Sequence, residues 1–254
     1  MKILALDSSG LVASVAVTEN GVLTAEYTVN YKKTHSQTLL PMLQTVKEML
    51  DLELDTIDAI AIAAGPGSFT GLRIGSATAK GLGLALEKPM IEVSTLAGLA
   101  YNLWGSDKLI CPIMDARRGQ VYTGVYTFER ANAAGKGDHV TAAGGLRMET
   151  VLSDRAVDIE ELIGELNALG REVIFLGDGV PVFMERITNL SQVPCAYAPA
   201  HLNRQRAAAI AALGEQYYAE GRIVSADEHR PEYLRLSQAE RERLAGGPDT
   251  QGCG

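Results

Sequence analysis

The chain has 254 residues, 46% hydrophobic and 6% aromatic, with a net charge of −8. It is long enough for one large domain or two small ones around a sizeable core. Its acidic balance and single tryptophan supply neither the basic footprint nor the stacking platform of a free-standing nucleic-acid binder.

In chain order, Lys2–Leu6 reads as a strand, Asp7, Ser8, Ser9 and Gly10 as a turn, and Leu11–Val17 as the returning strand of a hairpin. Leu23–Val29 continues the strand pattern. Ser36 can cap a helix over Gln37–Asp51, with Leu39, Leu40, Leu43, Val46 and Leu50 at helical spacing and Pro41 in its early turns. The apolar strand Ile57–Ala64 leads into the turn Gly65, Pro66, Gly67, and a small-residue helix follows to Leu86.

A similar order begins at Leu109. Ile110–Met114 is a strand ended by Asp115, Ala116–Gly119 turns, and Gln120–Phe128 alternates as the partner strand. Asp158–Leu169 reads as an amphipathic helix, Val173–Leu176 as a strand, and Gly177, Asp178 and Gly179 as a second glycine turn. Hairpin, helix, strand and Gly-x-Gly therefore occur twice, at similar distances from their aspartates. The expected fold is α/β: a duplicated unit of two mixed-sheet subdomains flanked by helices, over 1–107 and 108–200. Asn203–Glu220 is a helix with Gly221 as its stop. It opens a C-terminal portion, 201–243, expected to pack back on the core, and the polar tail 244–254 is expected to be disordered.

Gly65 to Leu86 carries the strongest chemical signal. A strand, a glycine turn and a helix start form a corner where free backbone N–H groups favour an anion. Gly65, Gly67 and Ser68 are its candidate residues, with Asp7, Ser8, Ser9 and Asp115 as hairpin groups that can hold a cation or place a water beside a phosphate. The plainer reading of each is a good turn or a close packing point. The motif is not a Walker loop, since Leu72 and Arg73 follow Gly71 where Lys and Ser or Thr are needed, and its glycine spacing is not the Rossmann one. Gly71, Gly75, Ala79 and Gly83 recur every four residues. Each helical glycine costs up to ~1 kcal/mol against alanine, so this bare face needs a close contact, either internal or with another subunit.

His35 has no second histidine one turn on, because position 39 is Leu39. The four histidines are scattered without ligand spacing, and no metal site is expected. Three cysteines without a CxxC pair argue against a disulfide framework and for a reducing compartment, and Cys111 reads as a buried thiol. No GxSxG elbow is present. The start MKILALDSSG meets Asp7 too early for a signal peptide, and no apolar run approaches the ~18 residues of a membrane helix. The chain is expected to be cytoplasmic.

The pieces MKILALDSS, THSQTLLPML, GPGSFTGLRIGSATAKGLGLAL, MDARRGQVY and PEYLR together resemble the bacterial tRNA threonylcarbamoyladenosine biosynthesis family TsaB, also called YeaZ. Thr127–Ala156 carries little of this signal. The resemblance implies the actin-like, sugar-kinase-like duplicated fold. It implies a non-catalytic subunit that helps install a threonylcarbamoyl group on the adenosine beside the anticodon of tRNAs reading ANN codons. Its partners would be the paralogue TsaD, bound through the N-terminal helices, and the small ATPase TsaE. ATP and a metal would sit on those partners, with no cofactor held tightly by this subunit and no membrane contact; tRNA would be met through the complex. His35 then falls at the partner's first metal histidine and Leu39 at its second. The resemblance also makes Gly71, Arg73, Gly75, Ala79 and Gly83, with Leu39, Leu43 and Val46, the candidate pairing surface, for TsaD or for a homodimer. The competing reading is an ATP-dependent phosphotransferase or hydrolase using the Asp7 hairpin and the glycine turns.

Overall fold

The computed structural model describes residues 1–130 and 145–235. In the first half, β1 (Lys2–Asp7), β2 (Val12–Glu19) and β3 (Val22–Asn30) form an antiparallel meander. β4 (Ala59–Gly65) and β5 (Met90–Ser94) add in parallel, giving the order β3-β2-β1-β4-β5. Helices α1 (His35–Met49), α2 (Phe69–Leu86) and α3 (Thr95–Tyr101) connect and cover them. The second half has β6 (Leu109–Arg117), β7 (Gln120–Arg130), β8 (Leu146–Asp158), α4 (Ile159–Leu169), β9 (Val173–Leu176), α5 (Val180–Leu190) and β10 (Cys195–Tyr197), in the sheet order β10-β9-β6-β7-β8. Counted from its own first strand, each half has the order 3-2-1-4-5. The duplication is thus written in the topology.

Sequence explains the placement of the strands. β4 reads AIAIAAG and is buried along its whole length, as a central parallel strand covered on both faces must be. Leu4, Leu6, Ile60 and Ile62 point into one apolar layer with α1 and α2. Ile3, Ala5, Ala61 and Ala63 point into the other, with α3 and α6 (Ala207–Ala219). Ile110, Met114, Phe128 and Leu176 of the second half join that second layer, so α3 and α6 lie between the two sheets. The close approach of α6 uses Gly214, where a Cβ would sit 3.1 Å from the Cβ of Ala61.

Several bounds differ from the sequence reading. α1 starts at His35 with Thr34 as its N-cap, so Ser36 lies inside the helix. β6 runs past Asp115 to Arg117, and the turn follows through Arg117, Arg118 and Gly119, all with positive φ. α6 begins at Ala207 instead of Asn203 because residues 203–206 are engaged elsewhere. Asn203 O accepts from Gly177 N at 3.1 Å, Arg204 Nη1 donates to Gly177 O at 3.0 Å, and Arg206 pairs with Glu26. The charged run beyond Arg235 and the tail 244–254 lie outside the described residues.

Candidate functional site

The hairpin turn after β1 meets the glycine turn before α2. Asp7 is buried, and its Oδ1 accepts from Ser9 N at 2.9 Å and Ser9 Oγ at 2.7 Å. Burial pushes its carboxyl up to about 6, against the lowering effect of the Ser9 hydrogen bonds and of nearby His35. Ser8 Oγ donates to Gly71 O at 2.9 Å. Ser68 N donates to Ser9 O at 2.7 Å, and the Ser68 side chain caps α2 by accepting from Gly71 N. A Cβ at Gly67 would strike Ser9 O, and one at Gly71 would strike Ser8 O.

The predicted anion residues Asp7, Ser8, Ser9, Gly67 and Ser68 are therefore brought together, but backbone fills the space between them. Ser68 N and Gly71 N, two of the corner's candidate anion donors, are used within the protein. Gly65 is covered as well. Its φ is +131°, a Cβ on it would strike Glu232 O, and Glu232 N donates to Ala64 O at 2.7 Å. The Tyr233 ring packs at a 39° tilt against Phe69, with centroids 4.9 Å apart. The expected open anion corner is corrected to a closed junction of hairpin, helix start and C-terminal segment.

The Asp115 side chain stays within its own hairpin, while its backbone N–H donates to the Asp178 carboxylate. The side chain accepts from Arg117 N at 2.8 Å and pairs with Arg117 Nη1 at 3.0 Å. The second glycine turn repeats the packing of the first: Gly179 N donates to Ile113 O at 3.0 Å, and a Cβ at Gly177 would strike that same oxygen. Asp178, between these glycines, is largely buried, and its Oδ1 has no partner among the described residues. Burial raises its pKa, partly offset by Arg204.

The bare stripe of α2 faces inward. Gly71, Gly75, Ala79 and Gly83 are buried against the chain's own Ser8, Ile62, Met90 and Ala226. Leu39, Leu43 and Val46 of α1 are core residues too. These seven are corrected as pairing-surface residues, since folding already covers them. Periodicity marked the right faces but not what covers them. Arg73 alone of the set points outward. The exposed faces carry Leu40, Gln44 and Met49 on α1, and Thr70, Arg73, Ala77, Gly81 and Leu84 on α2.

His35 Nε2 lies 2.8 Å from Gly10 O, which ties α1 to the hairpin. Leu39, one turn on, is in the core, so the donor set there does not fit a metal ion. Among the described residues no group of three or more His, Cys, Asp or Glu side chains converges on a metal-sized site. Sequence reasoning missed one polar cluster. His229 Nε2 lies 2.8 Å from Ser76 Oγ, and its Nδ1 lies 2.6 Å from Glu92 Oε1. The separation of 153 residues between Ser76 and His229 leaves no local signal for it.

Two like sheets, each with a hairpin carrying aspartate at or near its first strand's end and a glycine turn after its fourth strand, define a duplicated actin-like protein. The family model described as TsaD, tRNA N6-adenosine threonylcarbamoyltransferase, matches residues 23–243. The chain is 34% identical over 242 residues to the tRNA threonylcarbamoyladenosine biosynthesis protein TsaB of Bacillus subtilis, covering 94% of this chain and 96% of that one. It is 32% identical over 249 residues to TsaB of Escherichia coli, with the same coverage. The structure of YeaZ from Pseudomonas aeruginosa superposes with a TM-score of 0.75 at 29% identity, over 92% of this chain and 99% of that one. The chain belongs to the TsaB (YeaZ) family of tRNA threonylcarbamoyladenosine biosynthesis proteins, paralogous to TsaD.

Proposed function

We propose that this chain is a non-catalytic subunit that assembles with TsaD and TsaE for threonylcarbamoyl transfer to the adenosine beside the anticodon of tRNAs reading ANN codons. The observation that carries this reading is the closed junction at Asp7. There Ser68 N donates to Ser9 O and Gly71 N to Ser68 Oγ, so two of the backbone donors that would cradle a phosphate beside the Asp7 hairpin are already engaged within the protein. ATP and the metal belong to the partner subunits in this scheme, and tRNA is engaged by the assembled complex.

The pairing surface we assign is the outward face of α1 and α2. Leu40, Met49 and Leu84 are exposed there, and Ala77 and Gly81 leave α2 low enough for a partner helix to approach closely. The same face serves a homodimer when TsaD is absent. No helix among the described residues is long and apolar enough to cross a membrane.

The test is assembly with the cognate TsaD by size-exclusion chromatography and calorimetry. Ala77→Arg and Leu84→Asp should abolish the complex while leaving the melting temperature of the chain unchanged, because both side chains project into solvent. ATP turnover by the purified chain that disappears in Asp7→Ala would overturn the reading in favour of an independent enzyme.

A further inference from the structure

A cleft of about 390 Å³ lies between α2 and the C-terminal segment; its lining includes Arg73, Ser76, Lys80, His229, Arg230 and Tyr233, and Ala77 borders both this cleft and the pairing face. Ser76 and His229 of this lining belong to the Ser76–His229–Glu92 hydrogen bonds, which fix the segment against α2 and β5. The three cations on its rim are held in place by uncharged groups. Arg73 sits over the Phe69 ring at 4.1 Å. Lys80 Nζ donates to Asp227 O at 3.0 Å. Arg230 Nη1 donates to Asp227 O at 2.5 Å and to His229 O at 2.7 Å.

None of the three has a carboxylate within ion-pair distance among the described residues, although the chain holds 31 acidic against 23 basic residues. Glu92, the acid nearest the floor, is engaged by His229 and by Arg230 N. Three positioned cations without counter-charges around one concavity make an anion receptor. Two are arginines, whose planar forks match phosphate oxygens. Tyr233 is 39% exposed on the same wall, tilted against Phe69, and brings an aromatic ring to the cleft. Phosphate-matching cations beside an exposed aromatic are the combination that binds single-stranded nucleic acid.

We infer that this cleft receives one nucleotide unit of the tRNA substrate, its phosphate among Arg73, Lys80 and Arg230 and its base against Tyr233. The choice of RNA rests on the function proposed above; the anion receptor itself does not.

The test is fluorescence anisotropy with a labelled anticodon stem-loop of a tRNA reading an ANN codon. It is run on the full chain and on its complex with TsaD, over a salt series. Lys80→Glu and Arg230→Glu should each weaken binding at least tenfold. Lys80→Ala should reduce the slope of log K against log salt by about 1. Tyr233→Ala should weaken binding about tenfold with the slope unchanged. Melting temperature and TsaD assembly, measured on the same variants, separate this inference from the pairing reading. Folded variants that bind the stem-loop as the parent does would overturn it. So would a Lys80→Glu or Arg230→Glu variant that loses TsaD but keeps RNA, since the cleft would then take an acidic group of the partner. Binding of a fluorescently labelled ATP analogue without any stem-loop binding would assign the site to a small nucleotide and also overturn the RNA inference.

Discussion

A carboxyl group enclosed at the end of a central strand destabilises the fold when it is charged. Asp7 has its pKa raised from 3.8 to about 6, mainly by burial. Across that interval the folded state binds more proton than the unfolded chain, so the Asp7 contribution makes stability fall as pH rises from about 4 to about 6. The full effect is of order 3 kcal/mol, and it is complete above the folded-state value. Asp7→Asn keeps an oxygen for the two Ser9 hydrogen bonds and removes the charge. Urea unfolding should find it more stable than the parent at pH 7 by about 1–3 kcal/mol, with a weaker pH dependence below 6. Equal or lower stability at pH 7 would show that the carboxylate is solvated or paired. The glycines of α2 make a second residue-scale contrast. A Cβ at Gly81 meets open space, whereas one at Gly71 strikes the Ser8 carbonyl. Thermal melts should show Gly81→Ala stabilising by about 1 kcal/mol and Gly71→Ala destabilising by about 1–3 kcal/mol.

Among the elements, α2 shows what a sequence can and cannot disclose. Its start at the glycine turn, its Ser68 cap and its bare four-residue stripe are all legible, because local chemistry sets them. The direction of the stripe is not. A row of small residues says that a backbone comes near without saying whose, and here it is the chain's own hairpin. β9, a short apolar run between Glu172 and a glycine, was legible to the residue. β8 was not, because most of its length is only half-buried and it lacks a clean alternation of apolar and polar residues. The segment 224–235 was read only as the motif PEYLR, since its anchors lie far away in sequence. It holds β5 through the Met90–Val224 bridge, β4 through Glu232 N, and α2 through His229. His229→Ala would strand Ser76 and Glu92 without their partner. It should cost about 2–4 kcal/mol and speed tryptic cleavage after Arg235 well before global unfolding. Unchanged cleavage would mean that the backbone anchors alone hold the segment.

For the whole molecule, the duplication was visible in the repeated order of elements, but its consequence for folding was not. α6 comes from residues 207–219, yet Ile210, Ala211 and Leu213 lie in one core with Ile3, Ala5, Ala61 and Ile91. Arg206 pairs with Glu26, and Ala207 N donates to Ser14 Oγ at 2.8 Å. The first half thus depends on the end of the chain, beside its own α3, to cover one face of its sheet. A fragment of residues 1–107 should lack a cooperative thermal transition, whereas the full chain should melt in one. A cooperative melt of the fragment would contradict this dependence. The same interlocking leaves α1 and α2 as the N-terminal helices with a free outward face, which is why pairing is assigned there.

The central claim is that the chain acts by completing a TsaD complex. It is tested most directly by threonylcarbamoyl transfer to tRNA using the cognate TsaD and TsaE, supplied with threonylcarbamoyl-adenylate. The reaction is run with the parent chain, with Leu84→Asp, and without either. The account predicts transfer with the parent chain and none in the other two reactions. Equal transfer in all three would contradict it.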